Sequence, residues 1–535
     1  MSRRRILTLI FFSLLIALSA VWFHTITESI GSLLFSSPRP PKDITMTTTS
    51  AAASSDRAVL VIGAGLAGLS AATEALRRNV PVRLLDRAPK PGGNSIKASS
   101  GINGAPTRFQ KMPEDTTFFS DTVKSAGQSM KMATAAREAQ IAALTNQSKS
   151  AVEWLVDDQG VDLSVVAQLG GHSNARTHRG SGQTPPGAAI VTAMLKNLKE
   201  NPQFKLFTDC EVTSLVQDTP GGKVSGVEAT LAEEVGEGDA KTKVAKQITF
   251  TGPVVFAAGG FGGDTNGLLA KYRPDLAGIP STNDPRPGAH GILTKVGAKL
   301  VDMDKVQIHP TGFVDPANQL SGLKFLAAEV LRGEGGILLY EGKRFVNEME
   351  TREFISNVVM KLPQKDSGEA RQWDVQLLLD PGACDKAASH VGFYVWKGLV
   401  SKKKISDLDE TTRQSIQDYA AVVNGERKDE FGRSIFGHWR LKGTNDEDSQ
   451  EVCVGRVTPI VHFTMGGAVI DETGRVLANE MGEEEKKYIE GLWGAGEITG
   501  GLHGDNRLGG SSLLECVVFG RQAGQHAAEY LSAAQ

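Results

Sequence analysis

Gly63, Gly65 and Gly68, in the run Gly63-Ala64-Gly65-Leu66-Ala67-Gly68, stand at the spacing of a loop that lays its backbone against a pyrophosphate. The first glycine permits the tight turn. The second lets the main chain approach the phosphates, and the third lets a helix pack closely on a strand. The N–H groups and dipole of a helix that begins there favour an anion. Such a loop needs elements to hold it, and the flanking sequence supplies them. Ala58–Ile62 is an apolar run suited to a strand buried on both faces. Leu69–Arg78 follows at helical spacing. Val82–Leu85 reads as a second strand, ending at Asp86, about 20 residues on, where an acid can bond a ribose hydroxyl.

A second glycine-rich stretch decides between dinucleotides. Pro91-Gly92-Gly93-Asn94-Ser95 and Ala98-Ser99-Ser100-Gly101-Ile102-Asn103-Gly104 follow Asp86 closely. Small residues persisting so near the acid suit a long, extended cofactor with a ring system beyond the pyrophosphate, and favour FAD over NAD. Val254–Gly260, containing Ala258 and Gly259, reads as a buried strand opening into a glycine turn. Gly491–Glu497 repeats the pattern, so the chain is expected to return there to the cofactor domain. Leu508–Leu513 then opens a final helix to about Ser532. The N-terminus of that helix, with Ser512 and Leu513, is placed to cap flavin oxygens that gain negative charge on reduction.

Composition bounds the rest. The 535 residues suit a few domains of about 150 residues each. Hydrophobic residues at 40% and charged residues at 22% exclude a disordered or collagen-like chain. The 58 basic and 61 acidic side chains leave a net charge of −3, with no surplus to recommend nucleic acid as a partner. Cys210, Cys384, Cys453 and Cys516 are too scattered for a disulfide scaffold. No CxxC or CxxCH occurs, so no iron–sulfur cluster, Cys-rich zinc site or c-type haem is expected. HExxH and DxDxDG are also missing, and no catalytic metal is expected.

Arg3, Arg4 and Arg5 precede an uncharged run, Ile6–Phe23, within the roughly 17–25 residues that span a bilayer. The pattern is that of a signal peptide or signal anchor and predicts delivery to the endoplasmic reticulum, with the mitochondrion as the alternative address. Residues 1–35 are assigned to this segment and 36–55, rich in Pro, Ser, Thr and Ala, to a flexible linker. A start at Met46 would yield a cytosolic form. Asn146-Gln147-Ser148 matches a glycosylation sequon. Glu233–Lys246 reads as an exposed hairpin tip, and Ser401–Thr412 as a solvated helix face.

Seven motifs recur in order: Gly63–Gly68, Gly92–Asn103, Gln307–Thr311, Glu329–Gly333, Gly342–Glu348, Val461–Gly467 and Asp505–Gly510. Together they resemble the FAD-dependent fumarate reductase/succinate dehydrogenase flavoprotein family, most of all its soluble, yeast-type branch, over about Val59–Tyr530. The resemblance implies an α/β fold in which a Rossmann-like FAD-binding domain, 56–303 and 462–535, is interrupted by an α+β capping domain, 304–461. It implies hydride transfer from reduced FAD to fumarate bound between the lobes, with an Arg as proton donor. The cofactor contacts fall on Gly63, Gly65, Gly68, Asp86, Gly92, Gly93, Asn94, Ser95, Ala98, Ser99, Gly101, Asn103, Ala258, Gly259, Glu497, Ser512 and Leu513. Membrane-bound relatives attach FAD to a His where this chain has Ala98-Ser99-Ser100, so the FAD is expected to be non-covalent. Ala289-His290-Gly291 departs from the Gly-Asp-Gly common in relatives.

The chemistry of the remaining residues agrees. Arg507 and Arg352 offer forked donors that match carboxylates. His309 and His462 can donate hydrogen bonds and add charge if protonated. Arg352 matches the family's proton donor. Arg is a poor acid in water, so it needs neighbouring cations and fast reprotonation. Glu329 and Arg332, three apart, could share a helix face and relay that proton. The partners expected are a small dicarboxylate and a diffusible reductant, either reduced flavin or NADH, or a separate redox protein. Residues 6–23 allow membrane association. A related flavin oxidoreductase of L-aspartate oxidase or ketosteroid dehydrogenase type is the alternative, which the cation set disfavours for a steroid.

Overall fold

A computed structural model describes residues 45–46, 57–112, 114–132, 135–235, 242–365, 370–479 and 487–534. The apolar run 6–23, the Met46 start and most of the linker lie outside or at the edge of these residues. Among the described residues, no helix is long and apolar enough to cross a membrane. The chain divides into two units. The small one comprises 1–47 and 232–245, where Thr45–Met46 pairs in parallel with Val244–Ala245. Residues 48–231 and 246–535 make up the large unit.

The first apolar run forms strand Val59–Ile62, and all four residues are buried. It sits inside a six-stranded sheet ordered 475–477, 488–494, 254–256, 59–62, 82–85, 204–207. Strands 254–256, 59–62, 82–85 and 204–207 run parallel, as does 488–494 against 254–256. Both faces of the central strand Val59–Ile62 are covered, which is why it reads as unbroken Val, Leu and Ile rather than as an alternation. Helix Leu66–Leu76 follows the glycine loop, and the C-terminal helix Ser511–Ala533 packs against it. Their contact is built on small residues. A Cβ on Gly520 would lie 2.5 Å from Ala67 O, and one on Gly524 2.2 Å from Ala71 O. Strand Tyr488–Gly494 brings the chain back to this sheet from a distant part of the sequence, as expected.

A second sheet of seven strands is antiparallel in its core: 325–326, 306–313, 451–464, 375–379, 337–340 and 343–344 in order, with 401–404 also pairing to 451–464. Its spine is the long strand Glu451–Thr464, joined to 306–313, 375–379 and 401–404. Phe313, Val375, Leu377, Val457 and Val461 fill one core around it, and Ile337, Leu339, Tyr419 and Trp439 fill another. The two sheets together give the α/β fold, with strands 59–62 to 254–256 before the antiparallel sheet and 488–494 after it.

Ser401–Thr412 is not a helix face throughout. Ser401–Lys404 is an exposed strand, Ile405–Asp407 a single 3₁₀ turn, and the helix begins at Glu410. Pairing with the spine outweighs the weak strand preference of lysine. The lysines leave this outer strand charged. Residues 224–235 and 242–251 form the expected adjacent strands, and the tip 236–241 lies outside the described residues.

Candidate active site

The glycine loop separates residues that must be small for packing from residues that leave space. Gly63 has φ +102°, and a Cβ there would lie 2.3 Å from Ala257 O. A Cβ on Gly68 would lie 1.9 Å from Gly63 O. These two close strand upon helix. Gly65 differs: its Cβ would meet only Ser95 Oγ, at 3.7 Å. Ser95 Oγ accepts from the Leu66 N–H at 3.1 Å, so the second loop braces the first helical turn. Gly259, beside Ala258, has nothing within 4 Å of its would-be Cβ. Gly92 and Gly93 have positive φ, and Gly93 stacks on the Gly65 backbone.

Asp86, at the end of Val82–Leu85, accepts from Ala64 N at 2.6 Å and Ala88 N at 2.7 Å. Each oxygen keeps a lone pair for a ribose hydroxyl. Burial raises its pKa, against the pull of those two N–H groups. Asn94 donates to Asn283 Oδ1 at 2.5 Å. Ala98 O accepts from Gly187 N at 2.9 Å, and Ser99 O from His390 Nε2 at 2.7 Å. The Ser99 hydroxyl lies within reach of the buried Tyr394 hydroxyl. Gly101 is pressed against His178 O. Asn103 donates to Gly509 O at 2.7 Å and Ser511 Oγ at 3.0 Å, tying the second loop to the start of the last helix, where Ser512 and Leu513 form the first turn. Glu497 Oε1 accepts from Thr464 N at 2.9 Å and Oγ1 at 3.0 Å, and burial raises its pKa to about 7. The open glycines Gly65 and Gly259, the acceptor oxygens of Asp86 and the phosphate-seeking helix start fit FAD.

The polar pocket is built on strand Val306–Phe313, all of it buried. Side chains two apart share a face, so Gln307 and His309 point the same way. The pairing steps from Gln307↔Phe463 to Ile308↔Val461, leaving His462 as the extra residue of a bulge on the spine. A bulge re-aims its side chain. His462 meets His309 with ring centroids 5.4 Å apart. Pro310, which has no N–H, sits in the second irregularity of the same pair of strands.

Arg352 is the first residue of helix Arg352–Val359, whose N-cap Thr351 accepts from Phe354 N. Ser356 Oγ of that helix donates to Ile308 O at 3.1 Å, holding the helix on the strand. Arg352 Nε donates to Glu329 Oε2 at 2.6 Å and Nη2 pairs with the same oxygen. Its Nη1 donates to Gln307 Oε1 at 3.0 Å. Glu329 caps the short helix Val330–Gly333 rather than lying within it, and Arg332 Nη2 stands 4.0 Å from Glu329 Oε1. All three are buried, so this is no surface ion pair. Burial pushes Glu329 up, but Arg352 and Arg332 hold it below the ordinary value. Burial lowers Arg332 to about 10, partly offset by Glu329. Behind Arg332, the Glu348 carboxylate takes hydrogen bonds from Arg344 and Arg433.

Arg507 lies across the pocket with its guanidinium 4.2 Å from the Phe463 ring centroid. Burial and the nearby Arg352 lower its pKa to about 9. Its Nε has no partner among the described residues. The histidines differ from expectation. Burial first, then Arg352 and its neighbours, push His309 and His462 well below the ordinary pKa, so both rings are neutral here. They are donors, not cations. His309 Nδ1 stands 3.2 Å from both the N–H and the carbonyl oxygen of Thr311, and its Nε2 has no partner among the described residues.

Sequence reasoning did not single out several residues here. Gln307 Nε2 donates to Asn506 Oδ1 at 3.0 Å and Arg507 O at 2.7 Å, so one amide fastens Arg352 to the Arg507 loop. The period of two from His309 could have found it. His172 Nε2 donates to Gly509 O at 3.0 Å while its Nδ1 accepts from Arg176. His503 pairs with Glu515 behind Phe463. No local pattern announces either. Gly509 must be glycine: a Cβ there would lie 2.7 Å from Glu329 Oε2 and 3.0 Å from Arg352 Nη2.

A parallel sheet whose glycine loop opens beside a pocket of buried guanidinium groups defines a flavoprotein of the dinucleotide-binding class. The family described as FAD binding domain matches residues 58–513. Fumarate reductase 1 of Saccharomyces cerevisiae is 41% identical over 498 residues, 87% of this chain and 97% of its own. The fumarate reductase of Schizosaccharomyces pombe is 38% identical over 489 residues, 88% of each chain. The open conformation of a flavocytochrome c3 fumarate reductase shares the fold with a TM-score of 0.64 and 29% identity, covering 89% of this chain and 79% of that one. This chain belongs to the FAD binding domain family and, within it, to the soluble fumarate reductases.

Proposed function

We propose that this protein is a flavin-dependent fumarate reductase, converting fumarate to succinate. The observation that carries the reading is Arg352, sealed in the pocket yet ion-paired to Glu329, with Arg332 behind. When bound, FAD supplies the hydride, and the residues of its cradle are those named above, from Gly63 to Leu513. The division into an FAD domain, 56–303 and 462–535, and a cap, 304–461, belongs to the same proposal.

Arg507 and the donor hydrogens of His309 and His462 hold the substrate carboxylates. Arg507 presents a forked cation, and the neutral imidazoles orient the dianion without titrating near neutral pH. One carboxylate gathers negative charge as the hydride arrives. A buried cation at that carboxylate lowers the barrier because no water competes for it. Arg352 delivers the proton to the other alkene carbon. Glu329 returns a proton to Arg352, and Arg332 returns one to Glu329. A neutral Arg is ordinarily inaccessible, so the proton that Arg352 gives up has to be replaced at once through Glu329, to which it is bonded.

Reduced protein, mixed anaerobically with fumarate, should regain the oxidised flavin spectrum and release succinate. Failure to reoxidise with fumarate, alongside reoxidation by another enone or enoate, would favour the alternative flavin oxidoreductase. Electrons come from a diffusible reductant, free reduced flavin or NADH, or from a separate redox protein. For the address, residues 6–23 support delivery to the endoplasmic reticulum, and the arginine-rich start supports the mitochondrion as the second candidate. Fractionation of the full chain, beside one begun at Met46, tests this. Full-length protein found wholly in the cytosol would remove both addresses.

A further inference from the structure

Outside the pocket, two of the four cysteines lie together. Cys453 sits on the spine strand directly opposite Leu379 on one side and Lys402 on the other. It is 1% exposed. Cys384 is on the short helix Pro381–Lys386, which begins as soon as strand Val375–Leu379 ends. Its Sγ reaches back to Leu379 O at 3.6 Å. Directly opposed residues of an antiparallel pair put their side chains on one face, close together. Cys384 packs on the same apolar cluster as Leu379 and Cys453, and the two thiols neighbour each other. Both are free thiols, Cys384 half-buried.

We propose that Cys384 and Cys453 form a dithiol that closes into a disulfide by exchange with a small-molecule disulfide of the glutathione class. The site lies apart from the substrate pocket and is independent of the reductase reading. In the first step Cys384, the accessible sulfur, gives up its proton and attacks one sulfur of oxidised glutathione. An S–S bond to Cys384 forms, the glutathione disulfide breaks, and one glutathione leaves as thiol after taking a proton. In the second step Cys453 gives up its proton and attacks Cys384 Sγ. The second glutathione leaves as thiol, and the Cys384–Cys453 bond remains. Two protein thiols are oxidised and one external disulfide is reduced to two thiols.

The surroundings suit these roles. The neighbouring Cys384 thiol, aided by Lys402, holds the Cys453 thiol below its ordinary pKa despite burial. A low thiol pKa at the resolving sulfur favours the second step. The neighbouring Cys453 sulfur, together with burial, raises the Cys384 thiol. The first step is therefore slow at neutral pH and quickens as pH rises. The other two cysteines are unsuited. Cys210 is buried and raised to about 12, and burial raises Cys516 well above the ordinary value.

The test uses the flavin-loaded full chain, incubated with oxidised glutathione at pH 7 and pH 8.5. Acid quenching, alkylation in denaturant and peptide mass mapping follow. A peptide cross-linked between Cys384 and Cys453 is expected, two hydrogens lighter than the reduced pair, with Cys210 and Cys516 alkylated. Faster closure is expected at pH 8.5. C453S should retain one glutathione on Cys384, and C384S should take none at Cys453. Should either variant fail to fold, the wild-type map still decides. Full alkylation of both cysteines would overturn the proposal, and so would a stable glutathione adduct on Cys384 of the wild type.

Discussion

Arg352 carries the sharpest residue-level prediction. Proton delivery is a transition-state event, so Arg352→Ala should lose kcat with FAD still bound. A flavin-loaded variant keeping more than about a tenth of the wild-type kcat would have lost less than roughly 1.4 kcal/mol of transition-state stabilisation. That is too little for an essential acid, and the assignment would fail. Arg352→Lys keeps charge but not the fork that reaches Glu329 and Gln307 together, and should recover only a small part of the rate. Glu497 gives a second test. Its folded pKa of about 7 exceeds the ordinary 4.5. The protonated form is favoured by folding, so this stability is complete below about pH 4.5 and is lost as pH rises through about 7. The gap corresponds to about 3 kcal/mol. Thermal melts from pH 4.5 to 8 should show the wild type losing ground against Glu497→Gln, and parallel curves for the two would contradict the assignment.

At the scale of elements, the loop after Val59–Ile62 separates packing from binding. Gly68→Ala forces a Cβ to within 1.9 Å of Gly63 O and must push helix Leu66–Leu76 off the strand. Overpacking of this kind destabilises by about 1–3 kcal/mol. Gly65→Ala meets no backbone and should leave the fold intact while weakening FAD, since its methyl would stand where backbone must approach the pyrophosphate. Urea melts and flavin titrations on both variants should therefore diverge. Equal losses of stability, or unchanged flavin affinity in Gly65→Ala, would remove the cradle argument. The bulge at His462 acts at the same scale. One extra residue in the spine lets His462 face His309 from the opposite strand.

At the scale of the whole molecule, the proposed FAD cradle is assembled from segments far apart in sequence. Asn103 is bonded to Gly509 and Ser511, and Glu497 to Thr464. Ala98, Ser99 and Ser100 offer no imidazole for attachment. Acid precipitation should thus release FAD into the supernatant, and yellow flavin remaining with the pellet would contradict non-covalent binding. Gln307 of the antiparallel sheet bonds both Arg352 and the Arg507 loop, so the proposed acid chemistry depends on both sheets being in place.

The glycine fingerprint, Asp86, the returning strand 488–494 and the motif residues His309, Arg352, His462 and Arg507 were legible in the sequence. The first three rest on local rules of spacing, strand apolarity and turn chemistry, and the four motif residues on the family resemblance. The tertiary structure alone decided their electrostatic state. Whether His309 and His462 carry charge depends on burial beside Arg352 and Arg507, which spacing does not encode. The Glu329–Arg352 bond joins a helix cap to a helix start 23 residues on, and Gln307 links both to a loop near residue 507. Ser401–Lys404 became a strand because its partner was the spine. Long-range pairing and desolvation are sums over neighbours from remote sequence, so only the folded chain specifies them.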